Sequence, residues 1–158
     1  MDPTGKGQVT DFDFLLGNWT VENRRLKQRH VGSDDWDVFP ATQQFWKLLG
    51  GVMNVDEFNC PARGFSGASI RTLDLSTGRW SIYWVNSASG IMFPPVHGQF
   101  CDGKGVFYGT DEDNGAHVDV RFTWSFQPDG RPLWSQAYST DVGANWETNW
   151  TMDFTRVG

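Results

Sequence analysis

Three residues of this sequence are the best candidates for proton transfer during catalysis. His97 follows a loop that contains Pro94 and Pro95, and a histidine suits general acid or base catalysis because its ordinary pKa is close to neutrality. Asp56 and Glu57 are adjacent carboxylates, but neighbouring residues of a strand point to opposite faces of a sheet. The two cannot act as a glycosidase pair on one substrate without help from another strand. His97, Glu57 and Asp56 are therefore the candidate catalytic residues if the protein is an enzyme.

The sequence lacks the common motifs of catalytic and cofactor sites. It contains no GxSxG, no P-loop, no HExxH and no GxGxxG after a strand. His30, His97 and His117 are far apart, and Cys60 and Cys101 form no CxxC motif with a histidine nearby. We therefore predict no metal site and no cofactor, and we expect both thiols to be reduced outside an oxidising compartment.

One motif suggests a glycosidase, but the length of the chain argues against it. Ser139, Asp141, Gly143 and Trp146 have the S-x-D-x-G-x-x-W spacing of the Asp-box, a turn best known from sialidase propellers. The 158-residue chain is too short for several propeller blades of about 40 residues each. We interpret the motif as a hairpin turn, in which Asp141 accepts backbone hydrogen bonds and Gly143 adopts a positive φ. Trp146 is then expected to enter the core.

Charge and hydropathy limit the range of partners. The net charge of −6 and the pI near 4.9 argue against nucleic acids and anionic membranes as partners. No apolar run reaches the roughly 18 residues of a transmembrane helix, and the first residues lack the pattern of a signal peptide. We expect a cytoplasmic protein whose partner is a small molecule, and the sequence leaves a monomer and a homodimer open.

The positions of turn residues predict an all-β protein with a single domain over residues 1–158, of which 1–10 form a flexible N-terminus. Nine Trp and twelve Phe favour pleated sheets, and regularly spaced Gly, Asp, Asn and Pro indicate an antiparallel meander. A short helical turn at 11–17 precedes ten predicted strands, namely Trp19–His30, Ala41–Leu48, Met53–Phe58, Ser66–Leu75, Trp80–Val85, His97–Cys101, Val106–Thr110, His117–Phe126, Leu133–Ser139 and Asn145–Arg156. Closure removes exposed sheet edges, so we predict an antiparallel up-and-down β-barrel of about ten strands, with a filled sandwich as the alternative.

Alternation along the strands predicts which side chains face the interior. Strand eight presents Val118, Val120, Phe122, Trp124 and Phe126 on one face, and strand ten presents Trp146, Thr148, Trp150, Met152 and Phe154. On strand one, the parity of Trp19 and Val21 carries Asn23 and Arg25 inward. A buried guanidinium must be paired or offered to an anion. Glu57 is a candidate partner if it shares a face with Met53 and Val55, although the opposite parity would select Asn54, Asp56 and Phe58.

Three stretches carry a resemblance to a known group of proteins. DFDFLLGNWTVENRRL, RWSIYWV and YSTDVGANWETNWTMDFTR resemble a family of uncharacterised bacterial proteins with a calycin-like, lipocalin-type barrel, and the resemblance spans residues 11–156. It implies the lipocalin and fatty-acid-binding type of barrel and little chemistry, since such barrels include both carriers and cofactor-free enzymes.

These observations favour the binding of a small, largely apolar or aromatic ligand with a polar or anionic end inside the barrel. The predicted ligand-binding residues combine aromatic walls with a few polar groups: Asn23, Arg25, Trp46, Trp84, Trp124, Gln136, Tyr138 and Trp150. The alternative is a cofactor-independent isomerase, cyclase or lyase that holds a small metabolite in the same cavity. In that case His97 or the Asp56 and Glu57 carboxylates would move a proton. A barrel filled by its own side chains would do neither.

Overall fold

The structure, a computed structural model, describes residues 5–158 and is a closed barrel of antiparallel strands. The ten strands, β1 to β10, are Gly17–Leu26, Trp36–Leu48, Met53–Cys60, Phe65–Asp74, Arg79–Asn86, Val96–Cys101, Lys104–Asp113, Ala116–Phe126, Pro132–Ser139 and Glu147–Arg156. Short 3-10 helices lie at Asp13–Leu15, Leu49–Gly51 and Pro61–Arg63. Each strand pairs with the next, and β10 pairs with β1. The predicted ten-stranded up-and-down barrel and its short N-terminal helical turn are confirmed.

The N-terminal segment closes one end of the barrel. Phe12 and Leu15 are buried in the core, and the Phe12 ring meets the Trp80 ring edge-on with centroids 4.8 Å apart. The indole nitrogen of Trp80 donates a hydrogen bond of 2.9 Å to Oδ2 of Asp11. We call residues 11–16 the plug. The opposite end, which we call the mouth, carries the loops at 27–35, 61–64, 87–95, 114–115 and 140–146.

An arginine from the last strand fastens the plug. The Arg156 guanidinium lies over the Trp19 ring at 4.2 Å and donates hydrogen bonds to the carbonyl oxygens of Leu16 at 2.7 Å and Phe14 at 3.1 Å. The Trp19 indole nitrogen donates to the carbonyl oxygen of Leu15 at 2.7 Å. Carbonyls that the short helix cannot satisfy by itself are thus paired with side chains, which fixes the plug against β1 and β10.

Strand β8 follows the predicted alternation along most of its length. Val118, Val120 and Trp124 are buried, and Phe122 packs against the core cluster. Phe126, at the end of the strand, is 44% exposed, so the predicted inward face stops at Trp124.

Strand β10 departs from strict alternation because of a β-bulge between Thr148 and Trp150. An extra residue in one strand reverses the facing of the residues on one side of it. Asn149 is buried as a result, whereas Trp146 lies outside with the Arg121 guanidinium 4.6 Å from its ring. The prediction that Trp146 enters the core and shares the inner face with Thr148 is wrong.

The two cysteines lie at opposite ends of the barrel. Cys60 is buried at the mouth end of β3, and Cys101 is exposed at the plugged end of β6. They are not placed to form a disulfide with each other. Of the predicted flexible N-terminus, residues 1–4 lie outside the described part of the chain. Within the rest, the Gly7 amide donates a hydrogen bond to the Gly78 carbonyl oxygen at 2.6 Å.

Candidate functional site

The barrel interior contains a cavity of about 150 Å³ between the plug and the mouth. An engineered cavity of about this volume binds benzene, and the lining here continues to Pro94 and Asp111 at the mouth, so a two-ring molecule would extend in that direction. Most of its wall consists of apolar side chains from β8, β9, β10 and β5, which include Val120, Phe122, Trp134, Trp150, Met152 and Trp84. The rings meet edge-on, for example Trp134 and Phe122 at 5.1 Å and Trp134 and Trp150 at 5.9 Å between centroids. These edge-on contacts fix the orientations of the aromatic rings that line the cavity.

Five of the eight predicted ligand-binding residues line this cavity. They are Trp84, Trp124, Gln136, Tyr138 and Trp150, and each faces inward as the alternation of its strand predicted. Nε2 of Gln136 donates to Oδ1 of Asn149 at 2.8 Å. The bulge that turned Asn149 inward therefore supplies a partner that fixes the Gln136 amide.

Asn23 faces inward but supports the cavity rather than lining it. Its side chain is fully buried, and Oδ1 accepts a hydrogen bond of 3.0 Å from the indole nitrogen of Trp150. Its Nδ2 donates to the carbonyl oxygen of Phe39 at 3.3 Å. The amide thus holds one aromatic wall of the cavity in place.

Arg25 lies near the mouth end of β1, outside the cavity lining. Its guanidinium is sandwiched among the rings of Phe39 at 5.0 Å, Trp150 at 5.1 Å and Phe65 at 5.6 Å. Desolvation by these rings lowers the pKa of Arg25, and the nearby Asp37 carboxylate opposes the shift. Arg25 therefore packs against aromatic rings and does not line the cavity.

The predicted partner of Arg25 and one predicted aromatic wall lie on the outside of the barrel. On β3 it is Asn54, Asp56 and Phe58 that are buried, whereas Glu57 is exposed. The prediction that Glu57 faces inward as a partner of Arg25 is wrong, and the alternative parity of β3 is the one observed. Trp46 is 40% exposed because its neighbour Phe45 takes the inward position on β2.

The candidate catalytic residues do not come together at the cavity. His97 is outside the lining, and its Nδ1 lies 2.8 Å from Oγ of Ser81 on the outer face of the neighbouring strand. Burial and the nearby Arg79 lower the pKa of His97. Glu57 accepts a hydrogen bond of 3.2 Å from Nδ2 of Asn59, also outside. Only Asp56 faces the interior, so the predicted proton-transfer residues have no common access to the cavity.

The principal charged group of the cavity wall is Arg71 on β4, which the sequence did not reveal. The residue is 2% exposed, and Nη2 donates to Oδ2 of Asp56 at 2.5 Å. Nη1 donates to Oδ1 of Asn54 at 3.0 Å. The guanidinium also lies over the ring of Phe12 in the plug at 5.2 Å and over Phe45 at 5.3 Å. Arg71 therefore stands near the plugged end of the cavity, close to its floor.

Three buried polar atoms of the lining have no hydrogen-bond partner among the described residues. They are Nε of Arg71, Nε1 of Trp124 and Oε1 of Gln43. Trp124 also approaches the plug, with its ring 6.0 Å from that of Phe14. Buried polar groups are nearly always hydrogen-bonded, so two donors and one acceptor of the cavity lining remain available for pairing. Two further buried atoms without partners, Oδ1 of Asp56 and Nδ2 of Asn149, belong to residues outside the lining.

At the mouth, a cluster of charged residues surrounds Tyr138. Asp113 accepts hydrogen bonds from Nε and Nη2 of Arg29 at 2.8 and 2.6 Å, and lies 2.8 Å from Nε2 of His30. Arg29 and His30 in turn lie over the Tyr138 ring at 5.9 and 6.3 Å. The hydrogen bonds from Arg29 hold the pKa of Asp113 at about 2, and burial raises the pKa of Tyr138 to about 12. The loop at 27–35 is thereby tied across the mouth to the end of β7.

The Asp-box turn is a compact hydrogen-bonded hairpin away from the cavity. Oγ of Ser139 donates to Oδ1 of Asp141 at 2.8 Å and accepts from the Gly143 amide at 2.8 Å. Asp141 accepts from the backbone amide of Asn145 at 2.8 Å and from its side-chain amide at 2.7 Å. These bonds from Asn145 lower the pKa of Asp141 to about 2, and Gly143 has a φ of +83°. The geometry is that of the predicted turn.

Comparisons with other proteins give no further assignment. No protein-family model matches the chain, and no curated protein matches it significantly. Within residues 5–158, no three His, Cys, Asp or Glu side chains are grouped closely enough to hold a metal ion. No helix in that range has the length and apolar character needed to cross a membrane.

Proposed function

We propose that the barrel binds a small, largely apolar or aromatic molecule whose polar or anionic end is buried near the plug. The observation that carries the proposal is the set of unpartnered polar atoms of Arg71, Trp124 and Gln43 in an otherwise aromatic wall. Ligand cavities typically combine such apolar linings with a few placed polar groups. A bound molecule that pairs with these atoms would remove the cost of leaving them unsatisfied.

The two ends of the cavity would play different roles in binding. Near the plug, Arg71 and Trp124 would meet the polar end of the molecule. Toward the mouth, Tyr138 and Gln136 also line the cavity, where they would contact the rest of the molecule. The wall between them, formed largely by indole and phenyl rings, fits a flat body. This arrangement keeps the predicted class of ligand but replaces Arg25 with Arg71 as its charged contact.

The proposal is tested by titrating the tryptophan fluorescence with naphthalene-based probes, namely methylnaphthalene, naphthol and naphthamide. We expect a saturable one-to-one change, because Trp84, Trp124, Trp134 and Trp150 line the cavity. Val120→Phe, which adds volume to the cavity wall, should weaken binding, and its fold is checked by circular dichroism. The matched control is Trp46→Phe on the outer face. If no probe binds saturably, or if Val120→Phe binds every probe as the parent does, the proposal fails.

Native mass spectrometry of the purified protein gives a second test, because a tightly held molecule would be retained during purification. The calycin-like relationship, the cytoplasmic location and the choice between monomer and homodimer stay predictions.

A further inference from the structure

The charges around the cavity indicate what kind of polar end it accepts. Among residues 5–158, Arg71 is the only basic residue in its lining, and Asp56 already neutralises it through a salt bridge of 2.5 Å. Both side chains are almost completely buried, with 3% and 0% of their surface exposed. The other charged residue of the lining is the acidic Asp111. The interior therefore has no positive charge in excess of its negative charge.

A carboxylate ligand would add an uncompensated negative charge to this interior. The Arg71 guanidinium would then lie between two anions while Asp56 and the ligand repel each other. A buried charge is costly unless it has its own counterion. The chain carries a formal net charge of −6, which offers no long-range compensation.

The unpartnered atoms determine which hydrogen-bonding groups a ligand must carry to pair with all of them. Arg71 Nε and Trp124 Nε1 donate, whereas Gln43 Oε1 accepts. A carboxylate supplies acceptors for the first two but has no hydrogen for Gln43. A primary amide, a lactam, or a phenol beside a carbonyl supplies an acceptor and a donor together.

We propose that the cavity selects an aromatic molecule whose buried end is electrically neutral and carries a carbonyl-type acceptor beside an N–H or O–H donor. The inference rests on the proposed function, since it specifies the ligand of the same cavity. Asp56 is then a residue that determines specificity, because it cancels the charge of Arg71 without occupying the cavity lining.

The test compares naphthamide with naphthoate, which are nearly equal in shape and differ in charge, by tryptophan fluorescence and calorimetry at neutral pH. For the unmodified protein we expect the amide to bind at least about tenfold more tightly than the carboxylate, because the latter enters without a counterion. Equal or tighter binding of the carboxylate would overturn the inference.

Asp56→Asn provides the decisive variant, because it keeps an oxygen facing Arg71 but removes the negative charge. We expect the affinity for naphthoate to rise about tenfold or more, while the affinity for naphthamide changes little. An unchanged affinity for naphthoate in the folded variant would contradict the role assigned to Asp56. Circular dichroism checks that the variant is folded.

Gln43→Leu is a second test, which does not depend on whether Asp56→Asn folds. Removal of the acceptor should lower the affinity for naphthamide about tenfold, whereas the affinity for naphthoate should stay the same or rise. Equal weakening of both probes would overturn the inference. Failure of the proposed function would look different, because methylnaphthalene, naphthamide and naphthoate would then all fail to bind the unmodified protein.

Discussion

Arg71 near the plug and Arg29 at the mouth each pair with an aspartate, but they differ in the N–H groups left over. Arg29 uses Nε and Nη2 in a two-point contact with Asp113, and about a third of its side chain remains exposed to solvent. Arg71 is almost completely buried, divides its contacts between Asp56 and Asn54, and leaves Nε unpaired. The first pair fastens a loop, whereas the second keeps one N–H group without a partner among the described residues.

The difference also shows why the presence of a charge is a poor guide to a binding site. The mouth holds more charged residues than the floor of the cavity, yet Arg29 and His30 both have Asp113 as partner. The floor holds one almost completely buried ion pair, in which Nε of Arg71 has no partner among the described residues. Unsatisfied hydrogen-bonding capacity, rather than charge density, separates the two regions.

The largest effect is expected from Arg71→Met. The substitution leaves the Asp56 carboxylate buried without its counterion, and we expect the free energy of unfolding to fall by about 3–5 kcal/mol. Chemical denaturation of the variant gives the measurement. The double variant Arg71→Met/Asp56→Asn should recover much of the loss. If the double variant is no more stable than Arg71→Met, the two groups are not coupled and the comparison with Arg29 loses its basis.

A smaller effect is expected from Trp124→Phe, which keeps an aromatic ring but removes one donor of the cavity. We expect the affinity for naphthamide to fall about tenfold, corresponding to about 1.4 kcal/mol for a lost hydrogen bond to a buried group. Methylnaphthalene has no acceptor, so its affinity should stay nearly constant and serves as the control. An equal loss for both probes would mean that Trp124 contributes only its ring.

At the mouth, Asp113→Asn should reduce stability in a way that depends on pH. The native pKa of Asp113 is lowered to about 2, so its contribution is complete above the ordinary pKa of an aspartate, about 3.9. The contribution is lost as the pH falls through about 2. We expect the variant to be about 1 kcal/mol less stable at neutral pH, allowing for solvent screening, and the difference to vanish in acid. Thermal unfolding from neutral pH to about pH 2 measures this. A difference that is constant over the whole range would show that the carboxylate charge is not involved.

Much of the fold could be predicted from the sequence because turn residues and alternation are local signals. The ten strands and their order follow from them, and strand β8 shows how well alternation identifies an inner face. The start of β2 was missed because Pro40 cannot donate a ladder hydrogen bond. A proline is tolerated at this position of β2 because the pairing of β2 with β3 begins only at Thr42. Pro40 therefore lies beyond the hydrogen-bonded ladder between these two strands.

The floor of the candidate site was harder to predict because hydropathy gives conflicting signals along β4. Gly67, Ser69, Arg71 and Leu73 are the buried residues of this strand, while Ala68 and Ile70 lie on the less buried face. Over residues 67–71, hydropathy alone favours Ala68 and Ile70 for the inner face and Arg71 for the outer face. The available clue was the alternative parity of β3, which places Asp56 inside and thereby requires a cation from a neighbouring strand. The bulge in β10 is a second case, since nothing in the alternation of 146–154 indicates an extra residue.

The smallest effect is expected from Arg25→Met, the variant that most sharply separates the two ends of the barrel. Arg25 contacts aromatic rings near the mouth and lies outside the cavity lining, and a methionine can pack against the same rings. We expect the affinity for naphthamide to change by less than about twofold, since only weak cation–π contacts are exchanged. Fluorescence titration alongside Trp124→Phe gives the comparison under one set of conditions. If Arg25→Met instead weakens naphthamide as much as Trp124→Phe does, the bound molecule extends toward the mouth. The polar end would then not be confined to the floor.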